Sequence, residues 1–160
     1  MTIAPSGTKK TPMKTALIIS IFLLNSSLFA AEVYFQGPCK KESFLSAKIS
    51  GENLTAGDIT ISALEDSKTE YIGSVGGLNS VIGTPVGLEA IEVLSDTKMR
   101  AYGWCYEIDG FQPAAMPDEI ILVGDEVVRW FFAYSTYEDG EWKDYCVPSY
   151  ELKSPYICPE

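Results

Sequence analysis

The run "EVVRWFFAYSTY", residues 126–137, admits few placements in a fold. Extended, it points Val128, Trp130, Phe132 and Tyr134 to one side and Val127, Arg129, Phe131 and Ala133 to the other, so both sides are apolar except at Arg129. A strand of that kind belongs in the centre of a sheet, where neither side faces water. Arg129 can reach past the sheet edge to pair with a carboxylate or anchor a ligand, and the first is the commoner fate of such a cation.

A second extended run, "MRAYGWCYEIDG", places Tyr102, Trp104, Tyr106 and Ile108 on one side and Cys105 on the other, and ends at an Asp109-Gly110 turn. A strand under a helix needs such bulky residues facing inward, so core is preferred to ligand platform. If there is a ligand site, its candidates are Tyr102, Trp104, Tyr106, Arg129 and Tyr134.

Upstream, "SFLSAKISG" alternates as a strand, and "DITISALED" reads as its hairpin partner across the turn-rich "ENLTAG". "EYIGSVGGLNSVIG", with four glycines, reads as an irregular connection holding one short strand. "TPVGLEAIEVLSD" predicts the main helix, with Thr84 as N-cap, Pro85 in the first turn, and Leu88, Ile91 and Leu94 along one face. "EIILV" gives a further apolar run before Gly124-Asp125, "YEDGEW" a hairpin, and "KDYCV" a last strand. The order predicts an α+β roll: a mixed sheet crossed by one main helix and stapled by disulfides.

The N-terminus carries Lys9, Lys10 and Lys14 ahead of the apolar "ALIISIFLLNSSLFA" and no acidic residue before Glu32, the pattern of a secretory signal over residues 1–30. Its apolar part is shorter than the roughly 20 residues that span a bilayer, so no membrane insertion is expected after cleavage. "EVYFQGP", residues 32–38, resembles sites engineered into expression tags for viral proteases, a pattern that a native mature N-terminus can also show by chance, and residues 31–43 are set apart as an N-terminal segment. Residues 44–160 then make one domain, with a C-terminal extension over 137–160. Residues 1–30 hold three of the 12 basic residues and none of the 22 acidic ones, so the remainder has 9 against 22 and a formal charge of −13. Such a field repels nucleic acid and anionic lipid.

All four cysteines, Cys39, Cys105, Cys146 and Cys158, follow the signal, and their even number predicts two disulfides in a secreted or periplasmic protein. Cys146 and Cys158 bracket the proline-containing "CVPSYELKSPYIC", which needs a tether, so the favoured pairing is Cys146–Cys158 with Cys39–Cys105. With no CxxC pair and no histidine, neither a metal site nor another cofactor is expected. Missing histidine also removes Ser-His-Asp and Cys-His catalysis, and oxidised cysteines are not nucleophiles. The carboxylate pairs Glu107 with Asp109 and Asp118 with Glu119 are what 22 acidic residues supply by chance, so no enzyme is expected. "DGEWKD" lacks EF-hand spacing, and "NLT" at Asn53 is a glycosylation acceptor only in a eukaryotic secretory pathway.

"GWCYEIDG", followed fourteen residues after its end by "GDEVVRW", resembles the motifs of transcobalamin-like C-terminal domains over roughly residues 44–134. Gly103, Trp104, Tyr106, Ile108, Asp109, Gly110, Gly124, Asp125 and Trp130 are the matching positions. Asp109 stands where that family usually has asparagine, and residues 137–158 lie outside the pattern. The resemblance implies a β-grasp-like fold. In the vitamin B12 carriers this domain closes over the corrin together with a helical domain that is absent here, so exported binding is the broader implication. The function expected is a non-catalytic domain binding a small molecule, a surface or a protein. Alternatives are a secreted protease inhibitor or effector presenting the 146–158 loop, and a weak glycan-acting enzyme.

Overall fold

A computed structural model describes residues 30–159. The predicted signal, except Ala30, lies outside the described residues. The elements are β1 (Ala30–Gln36), β2 (Ser43–Ser50), α1 (Ala56–Asp66), β3 (Tyr71–Ser74), β4 (Gly77–Val81), β5 (Ile91–Ser95), β6 (Lys98–Ile108), β7 (Val127–Glu138), β8 (Glu141–Trp142), β9 (Val147–Pro148) and the single-turn α2 (Ser149–Leu152). The main sheet runs β2-β1-β7-β6-β5, with β1 parallel to β7 and the other pairs antiparallel. Beyond the stretch paired with β1, the same edge of β7 takes β9 at Ala133–Tyr134 and β8 at Tyr137–Glu138. The result is a mixed α+β fold with one main helix and two disulfides.

As expected, β7 is central, and β6 pairs with it along its whole length, from Lys98 opposite Glu138 to Ile108 opposite Val128. Val33, Phe35, Val128, Trp130, Phe132, Tyr102 and Trp104 form the core face, closed by Ile59, Ala63 and Leu64 of α1.

The helix is not where periodicity put it. "DITISALED" is helical because Thr55 and Asp58 close a reciprocal cap, with Asp58 N–H donating to Thr55 Oγ1 (3.0 Å) and Thr55 N–H to Asp58 Oδ2 (2.9 Å). The chain then buries Ala56, Ile59, Thr60, Ala63 and Leu64 at helical spacing. Alternating Ile59, Ile61 and Ala63 satisfy a strand period as well, and only packing separates the two. Gly57 admits that packing, since a β-carbon there would stand 2.0 Å from the Val75 carbonyl oxygen.

"TPVGLEAIEVLSD" is instead a single 3-10 turn followed by β5. Thr84 Oγ1 accepts from the Trp104 indole and from Val81 N–H, so it does not cap a helix. Gly87 at φ +60° interrupts helical continuation. The expected apolar face is not buried, Leu88 being 90% exposed. "EYIGSVGGLNSVIG" forms the hairpin β3–β4, and "EIILV" is not a strand: Glu119 ends a 3-10 turn over Pro117–Glu119, and Ile121 makes an isolated bridge to Thr55.

Residues 31–43 are also not an appendage. β1 lies between β2 and β7, and Val33 and Phe35 are fully buried.

The disulfides are Cys39–Cys158 and Cys105–Cys146, with Cα atoms 5.6 and 5.9 Å apart, correcting the expected Cys39–Cys105 and Cys146–Cys158. Cys105 projects from β6 away from the core face, and Cys146 meets it there. The chain then passes the edge of β7 as β9 and emerges on the helix side, where Tyr156 stacks on Tyr102 and Ile157 joins the core. Cys146 and Cys158 therefore end on opposite faces of the sheet, and Cys158 reaches Cys39 just beyond β1. Two such bridges fit an oxidising compartment, outside the cell or in a periplasm. Among the described residues no helix is long and apolar enough to cross a membrane.

Candidate functional site

β6 carries the aromatic series, and its neighbours decide what each ring can do. Tyr102 and Trp104 are buried, while Tyr106 is half-buried with its ring 5.1 Å from Trp130 in a stacked arrangement. Trp130 Nε1 donates to Thr60 Oγ1 (2.8 Å), tying the sheet to α1, and Trp104 Nε1 donates to Thr84 Oγ1 (2.8 Å), tying it to the loop before β5. Tyr134 lies beside Tyr102, with the Arg100 guanidinium over its ring. The core preference for these rings therefore describes most of their surface.

Arg129 is separated from this group. It lies on the opposite face, where its guanidinium donates to Glu107 Oε1 (2.6 Å), Gln36 Oε1 (2.6 Å) and the Tyr150 hydroxyl (2.9 Å), 4.4 Å from the Phe131 ring centre. All three partners come from the fold itself, which accounts for the cation. The 146–158 segment is likewise packed into the fold, with Ser149, Tyr150 and Ser154 buried.

Beside Trp104, Tyr106 and Trp130 a cleft of about 310 Å³ stays open. Its other walls are the glycine turn into β4, Gly76 and Gly77, and the loop carrying Pro113 and Met116. The Tyr106 hydroxyl donates to the Ala115 carbonyl (2.6 Å) and Gln112 Nε2 donates to the Cys146 carbonyl (3.4 Å), which hold this loop in place. Sequence reasoning named Trp104 and Tyr106 but missed the loop, whose only local signal is the proline pair in "QPAAMP". A second cleft of about 410 Å³ lies on the other side of Trp104, against Tyr102, Gly103, Ile72 and Val86. Neither lining contains a charged side chain, so an apolar or backbone-recognised ligand is what they can take.

Three of the carboxylates nearby have structural partners. Glu119 Oε2 accepts from Met116 N–H, Asp109 Oδ1 from Val127 N–H, and Glu107 is held by Arg129. Among the described residues no three metal-ligating side chains cluster.

Glu92 receives Tyr102 OH (2.6 Å), Ser154 OH (2.8 Å) and Arg100 Nη1 (3.2 Å). Burial would raise its carboxyl, but the hydrogen bonds outweigh that and hold it below the usual range. The Tyr102 phenol is pushed up to about 12, first by burial and then by its bond to Glu92. An unfolded tyrosine ionises near pH 10, so between about pH 10 and 12 only the unfolded chain gains by losing that proton, and stability falls. Thermal melts over that window should show Tyr102→Phe losing less stability than the parent; identical slopes would exclude Tyr102 as the source.

Neither a family model nor a curated protein sequence matches the chain.

Proposed function

We propose that this chain is an exported, non-catalytic binding domain of the β-grasp kind whose ligand occupies the cleft beside Trp104. Support for the fold type comes from the parallel pair β1 and β7, extended outward by antiparallel β2 and β6 and gripped by α1. The observation that carries the function is the uncharged cleft lined by Trp104, Tyr106 and Trp130, in a chain without histidine or free cysteine. The transcobalamin-like motifs agree with binding, and several serve the frame of the cleft: Trp104 and Trp130 fix its floor, and Asp109 holds the start of β7.

The test is a screen of planar aromatic fragments and short peptides, followed by the three tryptophan indole resonances. Ligands of the cleft move Trp104 and Trp130 and leave Trp142, on the β8 hairpin, in place. Hits confined to Trp142, or no hits, would overturn the assignment. Cobalamin should bind no tighter than about micromolar, roughly −8 kcal/mol, because the cleft beside Trp104 is small and no imidazole is available to cobalt. A tighter titration would restore the corrinoid reading.

A further inference from the structure

The cleft has a floor that side chains alone do not describe. Ile108 exchanges hydrogen bonds with Phe111 (2.8 and 2.9 Å) on the side of β6 away from β7, whereas Asp109 N–H donates to Val127 of β7. In an antiparallel strand the backbone groups alternate in direction, so Tyr106 and Trp104 also turn their N–H and C=O groups away from β7. On that outer side β5 pairs with β6 only from Lys98 to Ala101, and the bridge to Phe111 begins at Ile108. Among the described residues no hydrogen bond reaches the backbone groups of Trp104 or Tyr106 from the outer side. The open edge runs between them, with the 410 Å³ cleft toward Tyr102 and the 310 Å³ cleft toward Tyr106.

Sheet edges of this kind are normally covered, charged or twisted away. Here the facing wall is the Gly76-Gly77 turn and the buried Leu78 of β4, which lines both clefts beside Trp104, and it leaves the backbone of Trp104 and Tyr106 without a strand partner. The charges around it have one sign. The Asp118 carboxylate lies against Gly76, 3.6 Å from where a β-carbon would stand, Glu119 caps the turn below Met116, and Glu89 sits in the turn before β5. The nearest cations on β6, Lys98 and Arg100, are paired with Glu138 and Glu92.

We infer that the gap between β5 and the Phe111 bridge is a strand-addition slot, which takes an extended basic peptide segment of a partner protein onto β6 at Trp104–Tyr106. This rests on the cleft being the ligand site and names its ligand class. The unpaired stretch of β6 runs from Tyr102 to Glu107, and the backbone of the added strand pairs there with Trp104 and Tyr106. Alternate side chains enter the two clefts. Lysine or arginine on the outward positions meets Asp118, Glu119 and the acidic surface of residues 31–160, whose formal charge is −13.

A synthetic decapeptide of alternating valine and lysine is the probe, with its valine–glutamate counterpart and an N-methylated version as controls. Amide exchange of Trp104 and Tyr106, open in the free protein, should slow about tenfold or more with the valine–lysine peptide, while the β2 edge is unchanged. The valine–glutamate and N-methylated peptides should not protect these amides, and Met116→Lys, at an exposed position on the rim, should weaken binding several-fold. No protection at about 1 mM peptide, or protection at β2 instead, overturns strand addition. Equal binding of the N-methylated peptide, with Trp104 and Trp130 indole shifts, defeats the slot and leaves the cleft standing; absence of indole shifts from any fragment or peptide defeats both.

Discussion

Non-reducing peptide mapping should join Cys39 to Cys158 and Cys105 to Cys146, and Cys39→Ser with Cys158→Ser should cost this domain about 4 to 5 kcal/mol. The magnitude follows from the loop that the bridge closes, which has a sequence separation of 119 and restricts nearly the whole described chain when unfolded. Cys105–Cys146, with a separation of 41, should contribute about 4 kcal/mol on the same argument. Domains of this size are stable by about 5 to 15 kcal/mol, so loss of both bridges should leave the protein largely unfolded. Urea melts of the two double variants and of the reduced protein measure this. A fragment joining Cys146 to Cys158 would reverse the topology drawn for the C-terminal extension. A loss below about 1 kcal/mol for the Cys39–Cys158 variant would show that β9 and α2 hold that extension without it.

Phe35→Ala should be similarly damaging, at about 3 to 5 kcal/mol. Phe35 is fully buried, and its ring meets Phe44 at 6.0 Å and Trp104 edge-on at 6.4 Å. Its strand is parallel to β7 and antiparallel to β2, so the site cannot collapse onto the cavity without disturbing both neighbours. The same burial governs proteolysis. A protease that recognises "EVYFQG" must bind it as an isolated extended segment, yet Gln36 is buried and opposite Phe131. The folded protein should therefore resist viral cysteine proteases at Gln36–Gly37, and Phe35→Ala or reduction should expose the bond. Rapid cleavage of the oxidised parent protein would show that β1 detaches from the sheet far more readily than its packing implies.

The Cys105–Cys146 bridge also bears on the cleft. Cys105–Cys146 lines one end of it, and the Cys146 carbonyl receives Gln112 from the loop opposite. Loss of this bridge should loosen the loop and weaken ligand binding before it unfolds the domain.

The sequence by itself determined the two long strands, because alternation over eleven and twelve residues is a local property and β7 is apolar on both sides. It determined the turns at Asp109-Gly110 and Asp139-Gly140, where positive φ angles need those residue types, and the acidic charge. Tertiary structure decided which amphipathic segment became the helix. "DITISALED" and "TPVGLEAIEVLSD" each carry apolar residues at both periods, and the outcome turned on Thr55 and Asp58 closing a cap while Thr84 was taken by the Trp104 indole. It decided the role of β1, whose residues look like a tag until two strands flank them. The disulfide pairing was also a tertiary outcome, since spacing along the chain does not reveal that β9 carries it from one face of the sheet to the other. The cleft belongs there too: β5 stops pairing at Ala101 and the chain returns only at Phe111, so β6 is left uncovered between them by where distant segments end.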